Sequence, residues 1–167
     1  VPLQCEFFAL EGLTQLLSTV EQVKRSLNPE LGIHGIVLTM YDGRTNLSRQ
    51  VIDQVHEAGL GVVGLFVFGF DGDTPAIFEH TYDFIRSSGL DGVSITVLTP
   101  YVGTPQRQTW IEQDRLIPGV PWSLYDTNHV TYYPAQMSPE QLAQGYDWLS
   151  RKLYGYRSIA YRGLRNL

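Results

Sequence analysis

Three short apolar segments alternate with helical segments, and this alternation limits the folds that the chain can adopt. The segments cover residues 33–40, 62–70 and 93–98, and each is rich in the branched and aromatic residues of buried strands. Strands separated by helices imply βαβ units and a parallel sheet. We therefore expect an α/β fold, an open, mainly parallel sheet of three to four strands with helices packed on its faces, resembling half of a barrel.

Apolar periodicity and capping residues mark the helices between these strands. One stripe runs from Leu10 to Leu27, and a second helix is predicted over residues 46–58. Asp73 and Thr74 stand before Pro75, so we expect a third helix to open there with a capping side chain followed by a proline. Thr104 precedes another proline and is expected to begin a shorter fourth helix.

The last fifty residues are predicted to form an irregular arm and a C-terminal helix. Residues 117–134 contain several prolines and a glycine, which interrupt regular structure. Within them, residues 130–133 are expected to form a short edge strand. Ser138 and Gln141 then have the spacing of a capping box around an N-terminal proline. The sequence therefore predicts a helix over about residues 139–154.

Composition limits the function classes. Of the 167 residues 43% are apolar, but no apolar run reaches the roughly 20 residues of a membrane helix. Cys5 is the single cysteine, which excludes an intramolecular disulfide. The chain begins at Val1, so we expect a fragment or a processed product. All five charged residues of 151–167 are basic. A basic end of this kind either contacts nucleic acid or anionic lipid, or is a solvated surface at the C-terminus of a helix.

The opening residues VPLQCEFFALEGLTQLL and LNPELGIHGIVLTMYDGRTNLSRQV resemble the C-terminal half of ParA-type chromosome-partitioning ATPases. The resemblance implies that Pro2 and Asp42 lie near the adenine of a bound nucleotide. It also implies non-specific DNA contacts by Lys24 or Arg25 and by Arg44.

The residues that carry nucleotide chemistry in that family do not occur in this sequence. ATP hydrolysis there uses a glycine-rich loop with a lysine and a serine or threonine that binds Mg²⁺. No G-K-S or G-K-T occurs in the 167 residues. Pro2 and Asp42 are equally typical of a turn proline and an Asx turn. We expect no ATPase activity from this chain alone.

A second group of motifs follows the two later strands. Residues 69–74 read GFDGDT and residues 99–105 read TPYVGTP. They resemble the G-F-P-G-E-T and S/T-P-x-P-G-T-P loops of the second half of the radical S-adenosylmethionine (SAM) barrel, with Asp71, Asp73 and Val102 in place of proline, glutamate and proline. WSLYDTNHV and MSPEQLAQGYDWLSRKLY resemble the C-terminal arm of cobalamin-binding members.

The resemblance implies that these loops flank the adenosine and methionine parts of SAM, at the strand ends where parallel α/β folds bind ligands. Gly69, Gly72 and Gly103 permit close approach of the backbone to a ligand and positive φ. A turn followed by a helix cap, with no bound ligand, would have the same sequence pattern. The candidate cofactor-binding residues are Gly69, Phe70, Asp71, Gly72, Asp73, Thr74, Thr99, Pro100, Gly103 and Thr104.

The cluster that cleaves SAM in that family needs a C-x-x-x-C-x-x-C loop, and this sequence has only Cys5. The histidines lack metal-ligand spacing, and no catalytic triad or dyad follows from the residue order. We expect no catalytic residue and no metal site. The histidines are His34, His56, His80 and His129.

Together the resemblances describe a chimera-like chain: a ParA-like segment (1–55), a radical-SAM half-barrel segment (56–116) and a radical-SAM arm and helix (117–167). The leading expectation is a non-catalytic fragment related to radical SAM enzymes, joined to a ParA-like segment. One alternative is a ParA-type ATPase of chromosome or plasmid partitioning, with the phosphate loop upstream. The other is an interaction module that uses the basic tail.

We expect no cofactor for this chain alone, although the parent families imply SAM, an iron–sulfur cluster and cobalamin, or ATP and magnesium. We expect a cytoplasmic location and no membrane partner. Nucleic acid is a possible partner through Arg44 and the basic tail. Because the open sheet has unpaired edges, a homo-oligomer is a further expectation.

Overall fold

The structure, a computed structural model, describes residues 2–4, 9–33, 36–39 and 46–165. Strands and helices alternate along these ranges as predicted. A 3₁₀ turn at Trp122–Leu124 lies in the arm. In chain order the elements are β1 (Pro2–Gln4), α1 (Ala9–Ser26), β2 (Ile36–Thr39), α2 (Asn46–Glu57), β3 (Val62–Phe68), α3 (Ile77–Ser88), β4 (Gly92–Val97), α4 (Pro105–Glu112), α5 (Pro139–Tyr154) and α6 (Tyr156–Arg165).

The four strands form one open sheet in the order in which they occur in the chain. β1 pairs with β2, and β2 with β3, in parallel. The Val62 carbonyl accepts a hydrogen bond from the Asp91 N–H (2.9 Å), and the Phe68 carbonyl accepts one from the Leu98 N–H (2.9 Å). Since both strands advance in the same direction between these bonds, β4 is also parallel to β3. The predicted α/β fold with an open parallel sheet is confirmed.

One face of β3 is exposed although the strand is apolar throughout. Val63, Leu65 and Val67 are 37%, 54% and 42% exposed, whereas Val62 and Phe68 are buried. Strands that follow one another with right-handed connections place successive helices on the same face of a sheet. The expectation of helices packed on the faces of the sheet is therefore met on one face of β3 only.

The chain divides into two compact units. Unit 1 comprises the described residues within 1–65, 84–94 and 161–167, and unit 2 comprises residues 66–83 and 95–160. Leu13, Ile52 and Val55 are buried in unit 1. The largest buried side chains of unit 2 are Phe68, Trp110, Tyr132, Leu142, Leu149 and Leu153.

The two proline-initiated helices α4 and α5 begin as the sequence predicts. The Thr104 hydroxyl accepts a hydrogen bond from the Arg107 N–H (3.3 Å) at the start of α4. Ser138 and Gln141 form the predicted capping box, because each side chain accepts a bond from the other residue's N–H (3.2 and 2.8 Å). These reciprocal bonds satisfy donors that a helix start otherwise leaves unpaired.

The helix predicted to open at Asp73-Thr74-Pro75 begins later than expected, and the Asp73 carboxylate bonds elsewhere. β3 ends two residues earlier than expected because Gly69 has φ +100°, and α3 begins only at Ile77. The turn at Gly69 brings its own N–H and that of Phe70 to the Asp73 carboxylate. The carboxylate therefore closes the loop after β3 instead of the helix start.

The C-terminal region differs from the prediction in two places. Tyr132 forms a single antiparallel bridge with Leu116 in place of an edge strand over residues 130–133. After the extended Gly155, residues 156–165 form α6, which the periodicity does not predict. Among the described helices, none combines the length and apolar character needed to cross a bilayer.

Gly145 marks the close approach of α5 to α3 in unit 2. A Cβ atom at this position would lie 2.1 Å from Cε2 of Phe78, far inside contact distance. We expect Gly145→Ala to lower the free energy of unfolding by about 1–3 kcal/mol, measured by urea denaturation.

The matched control is Gly12→Ala in α1, where a Cβ meets nothing within 4 Å. There we expect a gain of up to about 1 kcal/mol, because alanine favours the helix more than glycine does. A Gly145→Ala protein as stable as the parent would contradict the close packing of α5 on Phe78.

Candidate functional site

The loop after β3 is closed by one carboxylate. Gly69 takes the left-handed φ of +100°, and Asp73 Oδ2 then accepts hydrogen bonds from the N–H groups of Gly69 (2.8 Å) and Phe70 (3.0 Å). The Asp73 N–H donates back to the Phe70 carbonyl (2.9 Å). Bonds from two N–H groups to a charged acceptor are among the stronger ones in proteins. The loop therefore has a defined backbone path.

Tyr132 fixes the same loop from the arm. Its hydroxyl donates to the Gly69 carbonyl (2.6 Å), and its ring stacks on Trp110 at 4.1 Å between centroids. Both aromatic side chains are buried. Burial, reinforced by the negative charge of Asp73, raises the pKa of the Tyr132 hydroxyl well above its usual range. Tyr132 therefore acts as a neutral donor throughout the physiological pH range.

Arg115 neutralises the other carboxylate of the loop. Its guanidinium donates to both oxygens of Asp71 (2.6 and 3.1 Å) and to the Tyr133 carbonyl (2.9 Å). It also lies over the Trp110 ring, 4.9 Å from the centroid. The bond from Arg115 holds the pKa of Asp71 below its usual 3.8. The charge of Asp71 is thus paired within the chain.

The loop after β4 is arranged around a second left-handed glycine. Gly103 has φ +82°, and the Thr104 hydroxyl donates to the Tyr101 carbonyl (2.7 Å). The Pro100 carbonyl accepts from the Arg107 guanidinium (3.1 Å). The Thr99 hydroxyl turns back to its own strand, donating to a carbonyl of β4 (3.1 Å).

Arg107 connects this loop to the arm through aromatic rings. Its guanidinium lies 4.9 Å from the ring centroid of Trp122 and 5.2 Å from that of Tyr125. Such cation–π contacts add to the hydrogen bond that Arg107 gives to Pro100. A groove of about 370 Å³, lined by residues 102–105, 107, 108 and 111, lies beside the loop.

The sheet brings the two loops to neighbouring strand ends, because Phe68 and Leu98 are hydrogen-bonded just before them. Phe70 and Tyr101 are about half exposed (50% and 48%). Among the described residues, the N–H groups of Gly72 and Gly103, both at exposed positions of unit 2, have no hydrogen-bond acceptor. Gly72 does not have positive φ, so that expectation holds only for Gly69 and Gly103. The arrangement offers two backbone donors and two aromatic surfaces to a small polar ligand.

The ParA-like candidates are less fully described. The backbone of Pro2 lies in β1, while Asp42 and Arg44 lie outside the described residues. Lys24 and Arg25 are exposed in the last turn of α1, where Arg25 pairs with Glu21 (2.9 Å). These positions allow contact with an external anion but do not form a site by themselves.

The described histidines have structural partners or surface positions. His56 pairs with Asp91, which also accepts the Val62 N–H (2.6 Å). His129 pairs with Asp126 and lowers the pKa of that carboxyl to about 2. His34 lies outside the described residues. Within the described ranges, no three histidine, cysteine or acidic side chains are grouped as a metal site requires.

Sequence reasoning missed the residues that hold the two loops in place. Arg115 and Tyr132 are far in sequence from the loop after β3 that they hold, whereas Arg107 closely follows the loop after β4, and no motif connects the three. The one available signal is the concentration of aromatic residues in the arm, including Trp122 and Tyr125. Aromatic residues in a proline-rich segment indicate that it packs against the rest of the fold.

Comparison with known proteins gives two kinds of similarity. The chain is 69% identical over 55 residues to the chromosome partitioning protein ParA of Caulobacter vibrioides, which is 33% of this chain and 21% of that protein. It is 58% identical over 55 residues to the sporulation initiation inhibitor protein Soj of Bacillus subtilis, covering 22% of that protein. The chain thus spans about a fifth of these curated relatives. No protein-family model matches it.

The second similarity covers more of the chain. It is 31% identical over 139 residues to the bacteriochlorophyllide d C-12(1)-methyltransferase of Chlorobaculum tepidum, which is 82% of this chain and 29% of that enzyme. Since this match and the 55-residue match together exceed the length of the chain, they overlap. Part of the chain is therefore similar to both proteins, and the similarities do not meet at one sharp boundary.

Gly69 combines two constraints that only glycine satisfies. A Cβ there would lie 2.0 Å from the Tyr132 hydroxyl oxygen, and φ is left-handed. We expect Gly69→Ala to lower the free energy of unfolding by about 3 kcal/mol or more, through backbone strain and displacement of Tyr132. Thermal and urea unfolding measure this loss.

Gly103→Ala is the matched control, because Gly103 is also left-handed but a Cβ there meets nothing within 4 Å. Its cost should be about 1 kcal/mol, from backbone strain alone. Equal losses in the two variants would contradict the Tyr132 contact.

The Asp71–Arg115 pair makes the free energy of unfolding depend on pH. Because the folded-state pKa of Asp71 is lowered, the pair stabilises the fold above the unfolded value of about 3.8, and this contribution is lost as pH falls below it. Asp71 is 59% exposed, so we expect Asp71→Asn to cost only about 0.5 kcal/mol at neutral pH. The difference between wild type and Asp71→Asn should shrink between about pH 5 and pH 3 in urea titrations.

Asp53→Asn on α2 is the control for the same charge change, since Asp53 is exposed. Asp126 titrates in all three proteins and cancels in their differences. A wild-type advantage over Asp71→Asn that stays constant down to pH 3 would show that Asp71 does not depend on Arg115.

Proposed function

We propose that the loops at residues 69–74 and 99–104 are the SAM-side ligand loops of a protein related to radical SAM methyltransferases, and that this chain alone is non-catalytic. The observation that carries the proposal is the pair of N–H groups at Gly72 and Gly103, which lie after neighbouring strands and have no acceptor in the part of the chain that the structure describes. Strand-end loops of parallel α/β folds are where such ligands bind. The similarity to the Chlorobaculum methyltransferase over 82% of the chain supports the same assignment.

The charges of the loop suit a ligand with hydroxyl and amine groups. Arg115 compensates Asp71, and two backbone N–H groups occupy one oxygen of Asp73. The loop therefore does not supply a concentrated positive charge, which a phosphate-rich ligand requires. The exposed rings of Phe70 and Tyr101 offer stacking surface for an adenine.

The residues of this chain do not fit an iron–sulfur cluster. Such a cluster takes three or four cysteine thiolates, and the sequence contains Cys5 alone. We therefore derive no SAM cleavage and no methyl transfer from this chain. No described group of side chains identifies a cobalamin site either, so the role of the chain is to position a ligand.

A ParA-type role is the second candidate, and the 69% identity to the Caulobacter protein over 55 residues favours it. In that case Pro2 and Asp42 contribute to an adenine site, while Lys24, Arg25 and Arg44 contact DNA. The phosphate loop would have to come from another part of a longer protein, because this sequence has none. A cytoplasmic location belongs to both proposals.

Weak but site-specific SAM binding is the expected result. Without a cluster to chelate its amino and carboxylate groups, SAM should bind no tighter than about millimolar, roughly −4 kcal/mol. Titration followed by ¹H–¹⁵N NMR should shift the amide resonances of Gly72 and Gly103 first. Gly103→Val should abolish these shifts, because a branched side chain does not tolerate φ +82°.

Gly119→Val is the control, since Gly119 is also left-handed (φ +74°) with open surroundings but lies outside both loops. It should leave SAM binding unchanged. Shifts from SAM that spread evenly over the protein would contradict the proposed site. Micromolar ATP binding would instead move the assignment to the ParA-like candidate.

A further inference from the structure

Helix α6 carries exposed apolar residues in a region whose charged residues are all basic. Tyr156 is 94% exposed and Ile159 is 50% exposed. From residue 151 to residue 167 the chain has five basic residues and no acidic one. Exposed apolar residues that are neighbours on a helix form a contiguous patch, and such patches, unlike single exposed residues, mark sites of interaction.

The sequence of α6 separates these residues around the helix. With 3.6 residues per turn, Tyr156, Ile159, Ala160 and Gly163 fall within an arc of about 100°. Arg162 lies about 60° beyond one edge of this arc and Arg157 about 60° beyond the other, where the exposed Tyr161 follows at about 100°. An apolar stripe flanked by long cationic side chains is the pattern of a helix that lies in a lipid–water interface.

The end of α5 extends the basic surface next to α6. Lys152 is exposed and lies over the ring of Trp148, 5.9 Å from the centroid, and Arg151 is also exposed but pairs with Asp147 one turn earlier. Tyr154 is 44% exposed. Tryptophan and tyrosine are enriched at the headgroup level of membranes because their rings are apolar and their polar groups remain hydrated.

Charge separation in the sequence gives this surface an orientation. Residues 1–150 hold all 17 acidic residues and only seven of the 12 basic ones. An anionic surface therefore repels most of the chain and attracts its C-terminal end. The same separation would favour nucleic acid, but phosphate contacts leave exposed Tyr156 and Ile159 without a partner.

We propose that α6, with the last turn of α5, is a peripheral docking surface for a bilayer that contains anionic phospholipids. Arg157 and Lys152 contact the headgroups, and Tyr156 and Ile159 enter the boundary between headgroups and acyl chains. The sequence expectation of no membrane partner rests on the lack of a spanning segment, which peripheral binding does not require.

Co-sedimentation with vesicles tests the proposal on the full chain. We expect binding to vesicles of phosphatidylglycerol and phosphatidylcholine, weakening as salt is raised, and none to phosphatidylcholine alone. Arg157→Gln and Ile159→Ser should each weaken binding by about five-fold. Arg86→Gln in the last turn of α3 and Leu27→Ser just after α1 make comparable changes at exposed positions and should have no effect.

Circular dichroism confirms that each variant is folded before binding is compared. Failure to bind the anionic vesicles, or equal binding to neutral ones, overturns the proposal. The proposal is also overturned if Arg157→Gln weakens vesicle binding while Ile159→Ser leaves it intact, and if binding of the protein to a DNA duplex responds to the two variants in the same way. That last result would assign the basic surface to nucleic acid instead.

Discussion

The contact between Tyr132 and Gly69 holds the arm against the end of β3, and the geometry of the candidate site depends on it. The buried hydroxyl of Tyr132 supplies the donor that the Gly69 carbonyl would otherwise obtain from water. Because the Tyr133 N–H donates to the Arg115 carbonyl, placing Tyr132 also places Arg115. Arg115 then reaches Asp71. One buried aromatic residue thereby helps to hold this loop at two points, Gly69 and Asp71.

The parts of the fold that follow local rules could be predicted from the sequence. The capping box at Ser138 and the proline after Thr104 place two helix starts correctly, because their bonds are formed between residues three apart. Asp73 fails by the same local rule. Its carboxylate could accept hydrogen bonds from the N–H groups at the helix start or from those at Gly69, and the left-handed turn at Gly69 favours the second arrangement. A sequence pattern does not contain that competition.

The residues that hold the site together escaped prediction because they act over long sequence separations. Tyr132 contacts Trp110 across 22 residues of sequence and Gly69 across 63, and Arg115 contacts Asp71 across 44; no short motif encodes such contacts. The exposed stripe Val63, Leu65 and Val67 was equally hidden, since an apolar strand reads the same whether one face or both are covered. Helix α6 was missed because glycine and arginines interrupt its apolar positions.

The overlap of the two similarities has a physical explanation in the sheet. Strand–helix–strand units with right-handed connections occur in both barrel and open α/β proteins, so a segment can satisfy either architecture. The sequential order β1-β2-β3-β4 is compatible with part of a barrel. Shared βαβ geometry by itself indicates fold and not function, which must be argued from a site. The loops after β3 and β4, and not the ParA-like segment, are where this chain offers such a site.

The loops are arranged by the chain itself and do not need a ligand to define them. Asp73, Tyr132 and Arg107 each bond to loop backbone, so a ligand would find the exposed N–H groups of Gly72 and Gly103 already oriented. Such preorganisation reduces the entropy lost on binding. It does not replace the missing chelating anchor, because two neutral backbone bonds contribute little net free energy in water. We therefore expect the two loops to bind a ligand weakly but at a defined position.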